Sequence, residues 1–213
     1  MMLRWPVSLY VRLFRLVFAR RFRHFGRGTS VIFPAGVDGA PNIVLGDDVY
    51  IAYKSYLAAL PHTGHADDCL LQIGAGSRIG RFNHIYATRR VVLGANVLTA
   101  NNVYISDNLH GYRDPVLPIL QQPIVQNSVV EIGEGSWLGH NACVLGARIG
   151  RHCVIGANAV VTHDIPDLCV AVGAPAIIVR RYDAATQTWR ATRPNGSFDP
   201  SPAADSPPPR IAS

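Results

Sequence analysis

Between residues 45 and 161 the apolar positions return in steps of six, and most are followed directly by glycine. Leu45-Gly46 leads to Ile51, Ile73-Gly74 to Ile79-Gly80 and then Ile85, and a later series runs Ile132, Leu138, Val144, Ile149, Ile155, Val161. The fifth position of each phrase is small or compact, as at Val49, Ser55, Ser77, Val97, Val103, Ser136, Ala142, Cys153 and Ala159. A helix repeats near every third or fourth residue and a half-buried strand every second, so a period of six belongs to neither alone. A fixed short repeat is the mark of a solenoid, whose units bury their apolar residues only by stacking on one another.

Three phrases make one triangular coil, with the branched aliphatic residue inward and the compact residue at the corner. Successive coils then stack at the strand spacing of about 4.8 Å with parallel pairing. The pattern therefore predicts an all-β chain, a parallel β-helix prism. A β-sandwich would show alternation with turn signals every eight to twelve residues, which the steps of six do not fit. The register stretches by two residues between Ile85 and Leu93 and contracts to five between Val144 and Ile149. It vanishes over residues 107–130, where Pro115, Pro118 and Pro123 appear, so a loop is expected to leave the prism there.

The ends read differently. Residues 1–30 form a basic segment with Arg4, Arg12, Arg15, Arg20, Arg21, Arg23 and Arg27 and no acid before Asp38, which accounts for the formal charge of +6. Leu9, Tyr10, Leu13, Phe14, Leu16, Val17, Phe18 and Phe22 among these arginines predict an amphipathic helix over residues 7–25. Arg12 and Arg15 interrupt it, so it is too short to span a bilayer, and no secretory cleavage site follows. It can cap the open prism end, lie on an anionic membrane surface, or do both. No nucleic-acid motif accompanies the arginines, and nucleic acid is not expected as a partner. The prism is expected over residues 31–182, and residues 183–213, rich in Pro, Ala, Ser and Asp, as a disordered tail. Cys69, Cys143, Cys153 and Cys169 show no metal-like spacing and read as reduced thiols of a cytoplasmic protein.

Chemistry is expected where the period fails. The run Ile105-Ser106-Asp107-Asn108-Leu109-His110-Gly111-Tyr112-Arg113-Asp114-Pro115 carries one histidine just past the last regular phrase. A histidine titrating near neutrality suits a general base, although an isolated loop histidine is more often only a solvated one. Asn83 sets a polar amide at a compact corner position, where it either meets a ligand or is satisfied by backbone.

These features together resemble the hexapeptide-repeat O-acetyltransferases, of the maltose and galactoside or the O-antigen and colanic-acid type. The loop above, the segment Pro118-Ile119-Leu120-Gln121-Gln122-Pro123, the phrase Ile132-Gly133-Glu134-Gly135-Ser136-Trp137-Leu138-Gly139, the run Val160-Val161-Thr162-His163-Asp164-Ile165-Pro166 and the turn Gly173-Ala174-Pro175-Ala176 carry the likeness. It covers roughly residues 40–180. It implies a left-handed prism, a homotrimer, and acetyl-CoA in a groove between subunits, with no metal. It places the catalytic base on His110 and acceptor contacts on Asn83, with Trp137 near the thioester. Tyr112 and Arg113 are further acceptor candidates, and Asp107 is read either as an orienting partner of the imidazole or as a turn residue. On the donor side the resemblance implies Gly139, His140, Ala157, Thr162 and His163, mostly through backbone, and Arg180 toward the CoA phosphates.

The expected reaction is acetyl-CoA-dependent acetylation of a hydroxyl on a sugar or glycan, such as a cell-surface polysaccharide precursor, with the enzyme cytoplasmic or peripheral at the inner membrane surface. N-acetylation of an amino-sugar nucleotide uses the same base and donor. A γ-type carbonic anhydrase would need a third histidine beside His84 and His110, and a purely structural prism would have no use for Trp137 or the Gly-Ala-Pro turn. Three departures from the family stand out: Asn108 replaces the first of two loop histidines; Ile177 and His163 replace a basic residue after the Gly-x-Pro turn and a lysine; and the five-residue step at Val144 removes one residue where relatives often have Pro.

Overall fold

The computed structural model describes residues 7–64, 68–193 and 196–199. The chain winds as a three-sided parallel β-helix, and the steps of six are its edges. Face A stacks His24–Phe25, Ile43–Leu45, Leu70–Ile73, Arg90–Leu93, Val130–Ile132 and Arg148–Ile149. Face B stacks Ser30–Val31, Tyr50–Ile51, Arg78–Ile79, Leu98–Thr99, Trp137–Leu138, Val154–Ile155 and Cys169–Val172. Face C stacks Gly36–Asp38, Tyr56–Ala59, His84–Ala87, Tyr104–Ser106, Cys143–Leu145 and Val160–Val161. The chain visits the faces in the order A, B, C, so every coil has three corners.

The register explains why the period must be kept. Leu45, Ile73, Leu93, Ile132 and Ile149 lie opposite one another on face A. Leu57, Ile85, Ile105, Val144 and Val161 do so on face C. All ten are buried inside the prism, and each such side chain taken out of water contributes about 1.5–3 kcal/mol. One residue inserted into an edge would turn these side chains outward.

Corners are closed by side chains as well as backbone. Ser77 donates its hydroxyl to the Gly94 carbonyl (3.0 Å) and accepts the Val97 amide (3.1 Å) one coil away. Ser136 repeats this with Gly150 (2.8 Å) and Cys153 (2.9 Å). Glycine is required where backbones of successive corners touch: a Cβ on Gly74 would sit 2.4 Å from the Gly94 carbonyl carbon.

The N-terminal end is covered by α1, Val7–Phe18. Phe14 is buried against the prism, Tyr10 stacks on Phe33 at 3.8 Å, and the Arg15 guanidinium donates to the Gly26 carbonyl at 3.0 Å. The helix expected over residues 7–25 is shorter: a 3-10 turn at Ala19–Arg21 follows, Phe22 is extended, and His24–Phe25 pairs with Val44–Leu45 as the first rung of face A. Burial of Phe22 beneath the helix and the open edge of face A favour a strand there. The prism thus begins at residue 24 rather than 31.

The other end also differs from expectation. Ile177–Asp183 doubles back antiparallel on Cys169–Val172, and Thr188–Ala191 pairs with it in turn. Arg190 binds the Asp183 carboxylate at 2.9 Å and Tyr182 packs edge-on to Trp189. The first part of the expected disordered tail is therefore a hairpin extending face B, because it pairs with an edge that would otherwise be open. Residues 194–195 and 200–213 lie outside the described residues.

Candidate functional site

The chain leaves face C after Ser106 and forms an antiparallel hairpin, in which Asn108–His110 pairs with Ile124–Gln126. Asp107 sits at the root and is fully buried. Its carboxylate accepts the Thr88, Arg89 and Arg90 amides at 2.8, 2.8 and 2.7 Å, together with the Thr88 hydroxyl at 3.0 Å. Its carbonyl accepts the Gln126 side chain (2.7 Å) and the Asn127 amide (2.9 Å). Gln126 in turn accepts from the Thr63 hydroxyl at 3.0 Å, which ties the loop after Tyr56–Ala59 to the same corner. Asp107 therefore clamps the hairpin to the prism. Expected as a substrate contact, an orienting partner of the imidazole or a turn residue, it is shut off from solvent and, among the described residues, makes no bond to His110.

His110 lies beyond this clamp, exposed on the outgoing strand opposite Ile124. Among the described residues its imidazole makes no hydrogen bond, so both ring nitrogens are open to a ligand. Further out the hairpin encloses a concavity of about 590 Å³ lined by Tyr112, Arg113, Leu117, Gln121 and Gln126, among others. Gln122 braces it by binding the Asp114 and Leu117 carbonyls, both at 2.9 Å.

Asn83, the other acceptor candidate, is a corner residue only 1% exposed. Its Nδ2 donates to the Ala100 carbonyl (2.9 Å) and its Oδ1 accepts the Val103 amide (3.1 Å). This is the bridge that Ser77 and Ser136 make with hydroxyls, so in this chain the amide is bonded to backbone.

The donor candidates gather at two edges of face C. Gly139, His140 and Ala157 stack at the corner between faces B and C, where the Asn158 amide donates to the His140 carbonyl (2.8 Å) and the Gly139 amide to that of Ile155 (2.7 Å). The Gly173-Ala174-Pro175-Ala176 turn closes the same column, with the Val160 amide on the Gly173 carbonyl (2.9 Å) and the Ala176 amide on that of Val160 (2.8 Å). Thr162 and His163 are exposed at the opposite edge, between faces C and A. Trp137 and Arg180 belong elsewhere: Trp137 is paired with Leu98 and Val154 on face B, and Arg180 lies opposite Val170 on that face. One chain therefore does not bring either together with His110.

Between the two edges, the outer surface of face C holds residues that the period-six reading passed over. Tyr56, His84 and Tyr104 lie on successive coils with ring centroids 4.7 and 5.3 Å apart, and the Tyr56 hydroxyl donates to Asp38. That hydrogen bond pushes the Tyr56 phenol up to about 12. Burial lowers the His84 pKa, keeping its imidazole neutral at pH 7. Tyr86 lies beside them with its hydroxyl 2.6 Å from Nδ1 of His62. The signal was present as aromatic residues immediately flanking Leu57, Ile85 and Ile105. Burial raises the thiol pKa of all four cysteines, Cys69 and Cys153 to about 11, so none is a ready nucleophile. Among the described residues no three His, Cys, Asp or Glu side chains come together as metal ligands.

Comparison with known proteins agrees with this architecture. Residues 129–163 match the family model for the hexapeptide repeat of succinyl-transferase. A probable acetyltransferase of Mycobacterium tuberculosis is 33% identical over 196 residues, which cover 89% of this chain and 62% of that protein. An Escherichia coli protein provisionally named a lipopolysaccharide biosynthesis O-acetyl transferase is 36% identical over 53% of this chain and 61% of its own. The galactoside O-acetyltransferase of Lactococcus lactis is 42% identical over 44% of each chain. The chain thus spans about three fifths or less of the length of these curated relatives. The N-acyltransferase AntD of Bacillus cereus, solved with dTDP and coenzyme A, superposes with a TM-score of 0.65 at 14% identity, over 82% of this chain and 90% of that one. The prism accordingly shares the left-handed β-helix fold of that structure.

Proposed function

From a chain built on the hexapeptide repeat and folded as the acyltransferase β-helix, we propose an acetyl-CoA-dependent O-acetyltransferase that modifies a sugar or glycan hydroxyl. The observation that carries this reading is His110, exposed and without a hydrogen bond among the described residues, on a hairpin clamped at its root beside the face flanked by the donor candidates. His110 takes the proton of the attacking hydroxyl, the hydroxyl oxygen adds to the thioester carbonyl, and backbone N–H groups at the coil corners hold the oxyanion. Collapse expels the CoA thiolate, which recovers the proton from the imidazolium. Gly139, His140, Ala157, Thr162 and His163 line the donor's path, and Arg180 meets its phosphates. The sequence relatives named for O-acetyl transfer favour a hydroxyl over the amine of an amino sugar.

The test is acetyl-CoA turnover against sugars, amino-sugar nucleotides and oligosaccharides, with wild type beside His110→Ala. General-base catalysis contributes about a hundredfold to ten-thousandfold, and the variant should lose about that much. Full activity in His110→Ala would dismiss the base, and transfer to amines alone would replace the O-acetyl reading.

Two partners complete the proposal. Trp137 and Arg180 on face B serve the reaction if a neighbouring copy supplies them, and the homotrimer is the assembly that does so for every site. Mixing His110→Ala with Trp137→Ala subunits should then recover activity that neither has alone, and no recovery would locate the site within one chain. The second partner is an anionic membrane surface, touched by α1. Its inner side is committed to the prism through Tyr10 and Phe14, while Leu9, Leu13, Leu16 and Val17 face outward beside Arg12, and Leu16 is 78% exposed. Among the described residues no helix is long and apolar enough to cross a membrane, so the contact is peripheral. Co-sedimentation with phosphatidylserine vesicles that survives replacement of Leu9, Leu13 and Leu16 by Gln would refute it.

A further inference from the structure

The donor candidates flank the upper coils of face C, whose outer surface there carries Cys143, Leu145 and Val160. The same face continues toward the N-terminal end as a different surface. Tyr104, His84 and Tyr56 form a ladder of half-buried rings over successive coils, roughly 10 Å long at the strand spacing. Tyr86 is the next outward residue along the strand from His84, with its ring centroid 6.5 Å from that of His84. His62, exposed on the loop after Tyr56–Ala59, closes the edge through its 2.6 Å contact with the Tyr86 hydroxyl.

This surface has the chemistry of a sugar subsite. Aromatic rings present a flat apolar body with polar tips, which matches a pyranose, with its C–H face and its rim of hydroxyls. Around the rings stand hydrogen-bonding groups in fixed positions: the Asp38 carboxylate on Tyr56, the Tyr86 phenol, and the His62 imidazole, whose Nδ1 is taken up by Tyr86 so that Nε2 is the nitrogen left for a ligand. Position agrees with chemistry. The loop bearing His62 is bound through Thr63 to Gln126, and Gln126 is the register partner of Asn108, two residues before His110. The His62 edge and the proposed base are thus fixed to one clamp. The rings lie outside the prism core, which is filled by the inward residues of the same strands.

We infer that the outer surface of face C formed by Tyr56, His84 and Tyr104, with the His62–Tyr86 pair at its edge, is the acceptor subsite and takes the ring of a hexose. Resting on the transferase reading, it adds where the acceptor lies. His62 acts as a positioning residue that holds an acceptor hydroxyl toward His110, and the aromatic ladder sets the orientation of the sugar ring.

Two measurements test this separately from the transferase reading. In saturation-transfer NMR with methyl β-galactoside and methyl α-glucoside as probes, irradiating the aromatic protons of the wild-type protein should carry saturation to the ring protons of at least one sugar. The signal should disappear in the Tyr104→Val, His84→Val double variant, on outward strand positions where valine fits, and persist in His110→Ala. In turnover assays Tyr104→Val should raise the acceptor KM about tenfold and leave the acetyl-CoA KM unchanged, while Tyr104→Phe stays within about twofold of wild type. His62→Ala and Tyr86→Phe should each raise the acceptor KM without changing the acetyl-CoA KM. Saturation transfer that is absent from the wild type, or undiminished in the double variant with an unaltered melting temperature, would overturn the subsite. Sugar binding at this face without acetyl transfer would sink the transferase reading and leave the subsite standing.

Discussion

Replacing Asp107 by Asn is a nearly isosteric change at a fully buried residue, yet it should loosen the hairpin that carries His110. The native carboxylate accepts three backbone amides, from Thr88, Arg89 and Arg90, at 2.7–2.8 Å, and the Thr88 hydroxyl at 3.0 Å. A hydrogen bond to a charged group is worth about 1.5–3 kcal/mol. An asparagine oxygen can keep the pair of donors from Thr88, but its NH2 group then points at the Arg89 and Arg90 amides, so two strong acceptances become donor against donor. Those amides are partly reached by water, which returns some of the loss. The net cost should be about 2–4 kcal/mol, borne mainly by the hairpin root. At 1.36 kcal/mol per decade this is a fall of roughly 30- to 1,000-fold in local protection. Hydrogen exchange reads it directly at the Asn127 amide, bound to the Asp107 carbonyl, and at the Gly111 amide, bound to the Pro123 carbonyl. Amides deep in the prism, such as Gly74 on Leu93, should keep their protection. Acetyl transfer should slow about tenfold with the acetyl-CoA KM unchanged, since the donor edges are not attached to this clamp. Unaltered exchange at both reporter amides would show that Asp107 does not hold the hairpin.

Asn83→Ser should be nearly silent, because Ser77 and Ser136 make the same corner bridge, whereas Asn83→Ala should cost about 1–3 kcal/mol by leaving the Val103 amide and the Ala100 carbonyl unpaired. Loss of transfer in a stably folded Asn83→Ser would restore an acceptor role to the amide. His84 adds a pH dependence of known sign. Its folded pKa lies below the ordinary 6.5, so in the window beneath 6.5 the unfolded chain binds a proton that the native state refuses, and stability falls as pH falls. In urea titrations between pH 7 and pH 5, His84→Gln should lose part of this slope, and an identical slope would remove His84 as its source. Ile85→Ala, in the middle of the face C column, should cost about 2–5 kcal/mol in the same titrations. A cost below 1 kcal/mol would mean that the column does not carry the prism.

The prism was readable because one interaction dominates each restricted position. Leu45, Ile73 and Leu93 must be inward and aliphatic, and Gly46, Gly74 and Gly94 must lack a Cβ, so two positions in every phrase keep their type whatever the rest do. The ends were misread for the converse reason. His24–Phe25 and Thr188–Ala191 are strands because an open sheet edge lies beside them, and nothing local in the chain records that edge. The hairpin root was half legible. The break in period located Asp107, but its partners Thr88, Arg89 and Arg90 are seventeen to nineteen residues earlier and were brought to it by one turn of the coil.

The same geometry explains why the candidate site divides as it does. In a β-helix, residues one phrase apart lie on different faces, and residues one coil apart lie on the same face. Trp137 and His140 are three residues apart, yet one belongs to the outer surface of face B and the other to the corner leading into face C. His84 and Tyr104, twenty residues apart, are in contact, because one coil separates them. The inward period therefore marks the architecture, and a functional surface on this fold has to be sought at the period of the coil, among outward residues that recur on one face. Tyr56, His84 and Tyr104 are such a series.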